Sequence, residues 1–184
     1  MNVSWLKCKI HLQRSALLLA LAFVIGVSLG AADLMLSPRI AANRAAETTA
    51  QIPNLVPGTV RSLETKTPHG IIHAAYDGND DLLGWVLPVQ GRGFAGPIEL
   101  LLGLTPNRKT VTGVYILAQS ETPGLGSRIT SPAWLEGFRT APASGRYTLG
   151  VEIDGLSGAT ISCTAVVDAV NHALETMPNP EQTL

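Results

Sequence analysis

Charge is scarce in this sequence. Asp, Glu, Lys and Arg make up 15% of 184 residues and nearly cancel, leaving a net charge of −1. A nucleic-acid binder needs a basic face to displace counterions from phosphates, and this supply builds none. Aromatic residues, at 5%, are too few for a base-stacking platform. Two cysteines, Cys8 and Cys163, exclude a disulfide framework and a cysteine zinc cluster. The histidines, His11, His69, His73 and His172, are scattered without an H-x-x-x-H pair and read as structural or solvated. The G-x-S-x-G of a nucleophile elbow is missing. So is a nicotinamide fingerprint: Gly91–Gly93 begins a G-x-G that fails afterwards. Asp77, Asp80 and Asp81 crowd one turn, where solvation explains them better than calcium. No repeat period or low-complexity tract is visible.

What is present first is apolar length. Mean hydropathy is positive, and "SALLLALAFVIGVSLGAA" from Ser15 to Ala32 carries no charge. At ~1.5 Å per residue this run spans roughly 27 Å, close to a hydrocarbon core of ~30 Å. A helix satisfies its backbone polar groups internally. Lys7, Lys9 and Arg14 precede the run and Asp33 closes it. The excess of positive charge on that side predicts a cytoplasmic N-terminus and an exported remainder, although Arg39 and Arg44 follow the span. Cys8 and Cys163 then lie on opposite sides of the membrane. The alternative is a cleaved signal peptide, with small residues Gly30 and Ala32 at a cleavage spacing; the run is longer than the ~7–15 residues of such segments, which favours a retained anchor.

The organisation expected is therefore a cytoplasmic segment 1–14, an anchor 15–36, a juxtamembrane stalk or linker 37–58 and an extracytoplasmic domain 59–184. Arg39 to Ala50 can continue the anchor helix, with Pro53 and Pro57 ending it. Strands are expected over Val60–Thr65, Ile71–Asp77, Leu82–Gly93, Ile98–Leu104 and Val111–Ala118, with a last short one at Val151–Ile153. A short helix is expected around Pro132–Phe138. A final helix from about Ser162 to Glu175 has Ala165, Val166, Ala169, Val170 and Ala173 on one buried face. The fold class is α+β: a single N-terminal transmembrane helix, then an antiparallel sheet with a few helices.

The sharpest local feature is "DGLSGAT", Asp154 to Thr160, at the mouth of that final helix. On residue types alone, Asp, Ser and Thr there are helix caps. A helix N-terminus is equally a site for an anion, and Gly158 and Ala159 let the backbone come close. The turn-like "TPGLG" (Thr122–Gly126) is open in the same way, since Pro and Gly mark turns everywhere.

"DGLSGAT" resembles the Asp-x-x-Ser/Thr-Gly-Ala-Thr motif of proteins flavinylated by the ApbE-type flavin transferase. "ETPGLG" (Glu121–Gly126), with Trp134 and Phe138 following, is similar to a loop in the G subunit of the Rnf electron-transport complex, as is "GRGFAGPIELLLGL" (Gly91–Leu104) before it. A similar domain occurs in the C subunit of the sodium-pumping NADH:quinone oxidoreductase. The likeness covers most of Tyr76–Ala173. Relatives usually carry Thr and Ser two and three residues after the acceptor, where this chain has Ser162 and Cys163. Before the loop it has "AQS" (Ala118–Ser120) in place of a histidine-rich stretch.

The resemblance implies an FMN-binding domain with FMN esterified through its phosphate to Thr160, whose hydroxyl attacks the pyrophosphate of FAD on the transferase. It implies Ser157, Gly158 and Ala159 as the small neighbours of that acceptor, and Glu121, Thr122, Gly124 and Leu125 as cofactor contacts. It implies an electron carrier rather than a self-sufficient enzyme, sited in the bacterial inner membrane with its domain in the periplasm. Its partners would be the other subunits of an Rnf-type complex coupling ferredoxin/NAD chemistry to ion translocation, the flavin transferase during maturation, and membrane lipid; nucleic acid is not among them. The span itself holds no ionisable residue and hence no ion pathway. Two other readings stay open on the residues: an anchored binding module without a redox cofactor, and a stand-alone flavinylated reductase.

Overall fold

The structure is a computed structural model. It describes residues 3–67, 70–140 and 146–177, with side chains described from Arg14 onward and without that of Thr140. His69 and the side chains of Lys7, Cys8, Lys9 and His11 lie outside the described residues. The chain divides into two compact units, Met1–Ala45 and Ala46–Leu184.

The first unit is helical. Helix α1 runs Val3–Leu55, and its stretch from Arg14 is long and apolar enough to cross a membrane. Leu17, Leu19, Phe23 and Leu29 are each more than 70% exposed, so this surface has no protein core to face. Inside the run Ser28 donates its hydroxyl to the Val24 carbonyl at 2.8 Å, which removes a polar group from the apolar surface.

The second unit is built on a five-stranded antiparallel sheet in simple chain order. Its strands are β1 (Arg61–Thr67), β2 (Gly70–Tyr76), β3 (Leu82–Arg92), β4 (Pro97–Leu104) and β5 (Val111–Ala118). The period of two explains β3 and β4. Trp85, Leu87, Ile98, Leu100, Leu102 and Leu104 face one core, while Val86 and Leu101 face the other. Both faces are covered, so β4 reads as a near-continuous apolar run. Pro88 lies in β3 beyond the last pair with β2, His73–Val86, where the strand is paired with β4 alone. The β2–β3 turn is organised by Asp77, whose Oδ1 accepts the amides of Asn79 (2.8 Å) and Asp81 (2.9 Å).

The larger core lies under α2 (Pro132–Thr140) and α3 (Thr160–Thr176). Ala165, Val166, Ala169, Val170 and Ala173 are all buried, as the spacing predicts. Helix α3 seats so low that a Cβ on Gly91 would stand 2.5 Å from the Ala165 carbonyl oxygen. On α2, Phe138 is fully buried, edge-on to Trp134 (5.4 Å) and Tyr147 (5.7 Å). Asn171 pairs with the Tyr147 backbone twice, accepting its amide at 2.8 Å and donating to its carbonyl at 2.9 Å.

Two sequence expectations need correction. Of the two prolines expected to end α1, Pro53 lies inside its last turn, and the helix ends at Leu55, just before Pro57. A proline near a helix end removes one amide donor. The burial of Ile52, Leu55 and Val56 to below 5% exposure on the second sheet face outweighs that loss, at about 1.5–3 kcal/mol per side chain. Val151–Ile153 is no strand: Leu149 and Ile153 make a single bridge across a turn, where the Gly150 amide donates to the Ile153 carbonyl at 2.7 Å. Only Ile153 finds a buried site; Val151 is 75% exposed.

Candidate functional site

Two tight turns meet at the N-terminus of α3. In Thr122–Leu125 the Leu125 amide donates to the Thr122 carbonyl at 3.1 Å, and in Leu156–Ala159 the Ala159 amide donates to the Leu156 carbonyl at 3.0 Å. Each has glycine third, Gly124 at φ +76° and Gly158 at φ +78°, where other residues are strained. Proline second, as at Pro123, presets the first of these turns.

The second turn delivers the chain into α3. The cap position is Ala159, which has no side-chain oxygen, so Thr160 is the first helical residue and not the cap. The hydroxyl of Thr160 makes no hydrogen bond among the described residues, and the residue is exposed. The first intrahelical bond is from the Cys163 amide to the Ala159 carbonyl, 2.9 Å. The amides of Thr160, Ile161 and Ser162 therefore lack helical partners, as in any first turn. Arg128 donates to the Ser157 carbonyl at 3.3 Å, placing a guanidinium beside this turn. Trp134 anchors its start, donating Nε1–H to the Asp154 carbonyl at 2.7 Å. The contact is to backbone; the Asp154 side chain is exposed.

Between the turns lies a cleft of about 390 Å³. Of the residues expected from sequence, Thr160, Gly158, Ala159, Glu121, Thr122 and Leu125 line it. Ser157 and Gly124 stand outside the lining, on the exposed turns. The remaining walls are Phe94, Gly126, Ile161 and Ser162. Phe94 is 71% exposed although large and apolar, and Leu125 and Ile161 are also exposed. Such a partly apolar concavity with a few polar groups suits a small-molecule ligand, whose sites typically measure about 300–1,000 Å³.

Glu121 differs from its neighbours. It is buried, its Oε1 accepting the Ala95 amide at 2.9 Å and its Oε2 the Ser162 hydroxyl at 2.5 Å. Burial pushes its pKa up, but the Ser162 hydroxyl and the amides of Ala95, Phe94 and Gly96 outweigh it and hold the carboxyl below its ordinary value. Cys163, buried in α3, has its thiol pushed up by burial and is a packing residue. Among the described residues no cluster of His, Cys, Asp or Glu could hold a metal ion.

Sequence reasoning left out Phe94 as a wall. A large aromatic between Gly93 and Ala95 in a chain poor in aromatics is a signal that could have found it.

Part of the chain is similar to curated proteins. The chain is 36% identical to the G subunit of an ion-translocating oxidoreductase complex from Methanosarcina acetivorans, over 59% of this chain and 58% of that one. It is 36% identical to the C subunit of a Na(+)-translocating NADH-quinone reductase from Chlamydia trachomatis, over 48% of this chain and 37% of that one. It is 32% identical to the G subunit of a proton-translocating ferredoxin:NAD(+) oxidoreductase complex from Clostridium ljungdahlii, over 56% and 57%. The chain thus spans less than two thirds of the length of each. Residues 93–175, from the β3–β4 loop into the last turn of α3, match the FMN-binding domain family.

Proposed function

We propose that this chain is a membrane-anchored electron-transfer protein that carries FMN covalently on Thr160 and works within an Rnf-type ion-translocating oxidoreductase complex. One observation carries the reading. Within the stretch that matches the FMN-binding domain family, the Thr160 hydroxyl is exposed at the first residue of a 17-residue helix and on the wall of the cleft.

The residues fit the group. Formation of the ester would join the Thr160 oxygen to the FMN phosphorus, break the pyrophosphate of FAD, release AMP and shed the hydroxyl proton. The unpartnered amides of the first turn and the helix dipole would then stabilise the phosphate, with Arg128 adding positive charge nearby. Phe94 and Leu125 would supply apolar surface for a flat ring. When bound, FMN supplies one- or two-electron redox chemistry, and the protein tunes it through hydrogen bonds, burial and charge. The open side of the cleft leaves an edge accessible to a partner. The apolar stretch of α1 would keep the domain at the membrane, N-terminus inside and domain outside.

Replacing Thr160 with Val nearly keeps its shape. The full chain, co-expressed with a flavin transferase, should then lose its denaturation-resistant flavin absorbance while the domain stays folded. Covalent flavin persisting on the Val variant would end the assignment.

A further inference from the structure

Glu121 is the carboxylate in the cleft lining, yet both its oxygens serve the protein. The segments it joins are distant in sequence. Ala95, with Phe94 and Gly96 beside it, belongs to the β3–β4 loop, and Ser162 belongs to the first turn of α3. The surroundings are shaped to this carboxylate. A Cβ on Gly93 would strike Oε1, and one on Gly126 would lie 2.8 Å from Oε2 and 2.7 Å from the Ser162 hydroxyl. The loop that bears Phe94, the turn that bears Leu125 and the helix that bears Thr160 are thus tied at one point.

We propose that Glu121 is a positioning residue for the flavin, clasping the Phe94 loop to the Thr160 turn, and that its fixed negative charge in the cleft lining holds the cofactor's reduction potential down. This rests on the reading of FMN at Thr160. The charge is the telling part. Glutamine could accept the Ala95 amide through its oxygen and offer its NH2 to a reoriented Ser162 hydroxyl. Hydrogen bonding alone therefore does not call for glutamate. A full charge with little water around it acts far more strongly on a neighbouring group than a surface charge does, and salt screens it less. The hydrogen bonds that hold the carboxyl below its ordinary pKa keep that charge in place at neutral pH.

The test uses the full chain matured with a flavin transferase, as wild type, E121Q and S162A, with midpoint potential followed by spectroelectrochemical titration. E121Q should keep its covalent flavin and titrate at a more positive potential, with the difference surviving added salt. S162A breaks one arm of the clasp but leaves the charge, so its potential should move less than that of E121Q. Equal potentials for E121Q and wild type, or S162A moving as far as E121Q, would overturn the charge assignment. In the unflavinylated chain, E121A should lose hydrogen-exchange protection at the Ala95 amide; unchanged protection there would overturn the clasp. That last comparison needs no cofactor. A wild-type chain without flavin would sink the covalent reading alone and leave the clasp to be decided by exchange.

Discussion

Gly91→Ala puts the seating of α3 to a sharp test. The added Cβ would stand 2.5 Å from the Ala165 carbonyl oxygen, 3.2 Å from its carbon and 3.2 Å from the Ala169 Cβ. Two of these three atoms are helix backbone, so no side chain can swing away. Relief requires α3 to lift from β3. Overpacking of this kind costs about 1–3 kcal/mol. For a domain of this size about 1 kcal/mol corresponds to roughly 3–4 °C, so the variant should melt about 3–12 °C lower. Gly96→Ala is the matched control a few residues on: its Cβ would meet only the Ser120 Cβ, at 3.8 Å, and its melting temperature should not move. Thermal unfolding of the full chain in detergent, followed by the fluorescence of the buried Trp85 and Trp134, reads both variants. If Gly91→Ala melts with wild type, α3 does not sit as described, and the placement of Thr160 at the cleft loses its support.

Phe138→Ala removes a fully buried ring between Trp134 and Tyr147 and should cost about 3–5 kcal/mol in denaturant titration; a loss under about 1 kcal/mol would mean that α2 is not docked on this core. His73 is buried on β2, and burial lowers its pKa although Glu64 opposes this. The unfolded chain then binds the proton more readily, so this contribution to stability is complete above about pH 6.5 and is lost as pH falls below it. His73→Gln should flatten that acid limb of the stability–pH curve, and an identical limb in the variant would refute the assignment.

The strands were legible because burial on one or both faces leaves a period of two in the residues themselves, as in Ile98–Leu104. The face of α3 was legible for the same reason at period 3.6. Local rules misled where distant packing decides. Pro53 reads as a stop, but Ile52 and Leu55 are held by the sheet. Val151–Ile153 has strand-forming residues and no ladder to join. Thr160 reads as a cap, yet the Leu156–Ala159 turn moves the cap to Ala159 and turns the hydroxyl into an exposed group. At the site, the residue types of both turns could be read directly. That Glu121 ties them to the Phe94 loop could not, because its partners lie 26 and 41 residues away.

The most direct measurement is the mass of the tryptic peptide containing Thr160, taken from chain matured in a host that supplies the flavin transferase. The account predicts an increment of one FMN less water, with fragmentation placing it on the Thr160 oxygen. An unmodified peptide from a chain that has met an active transferase, or an increment on another residue, would contradict it.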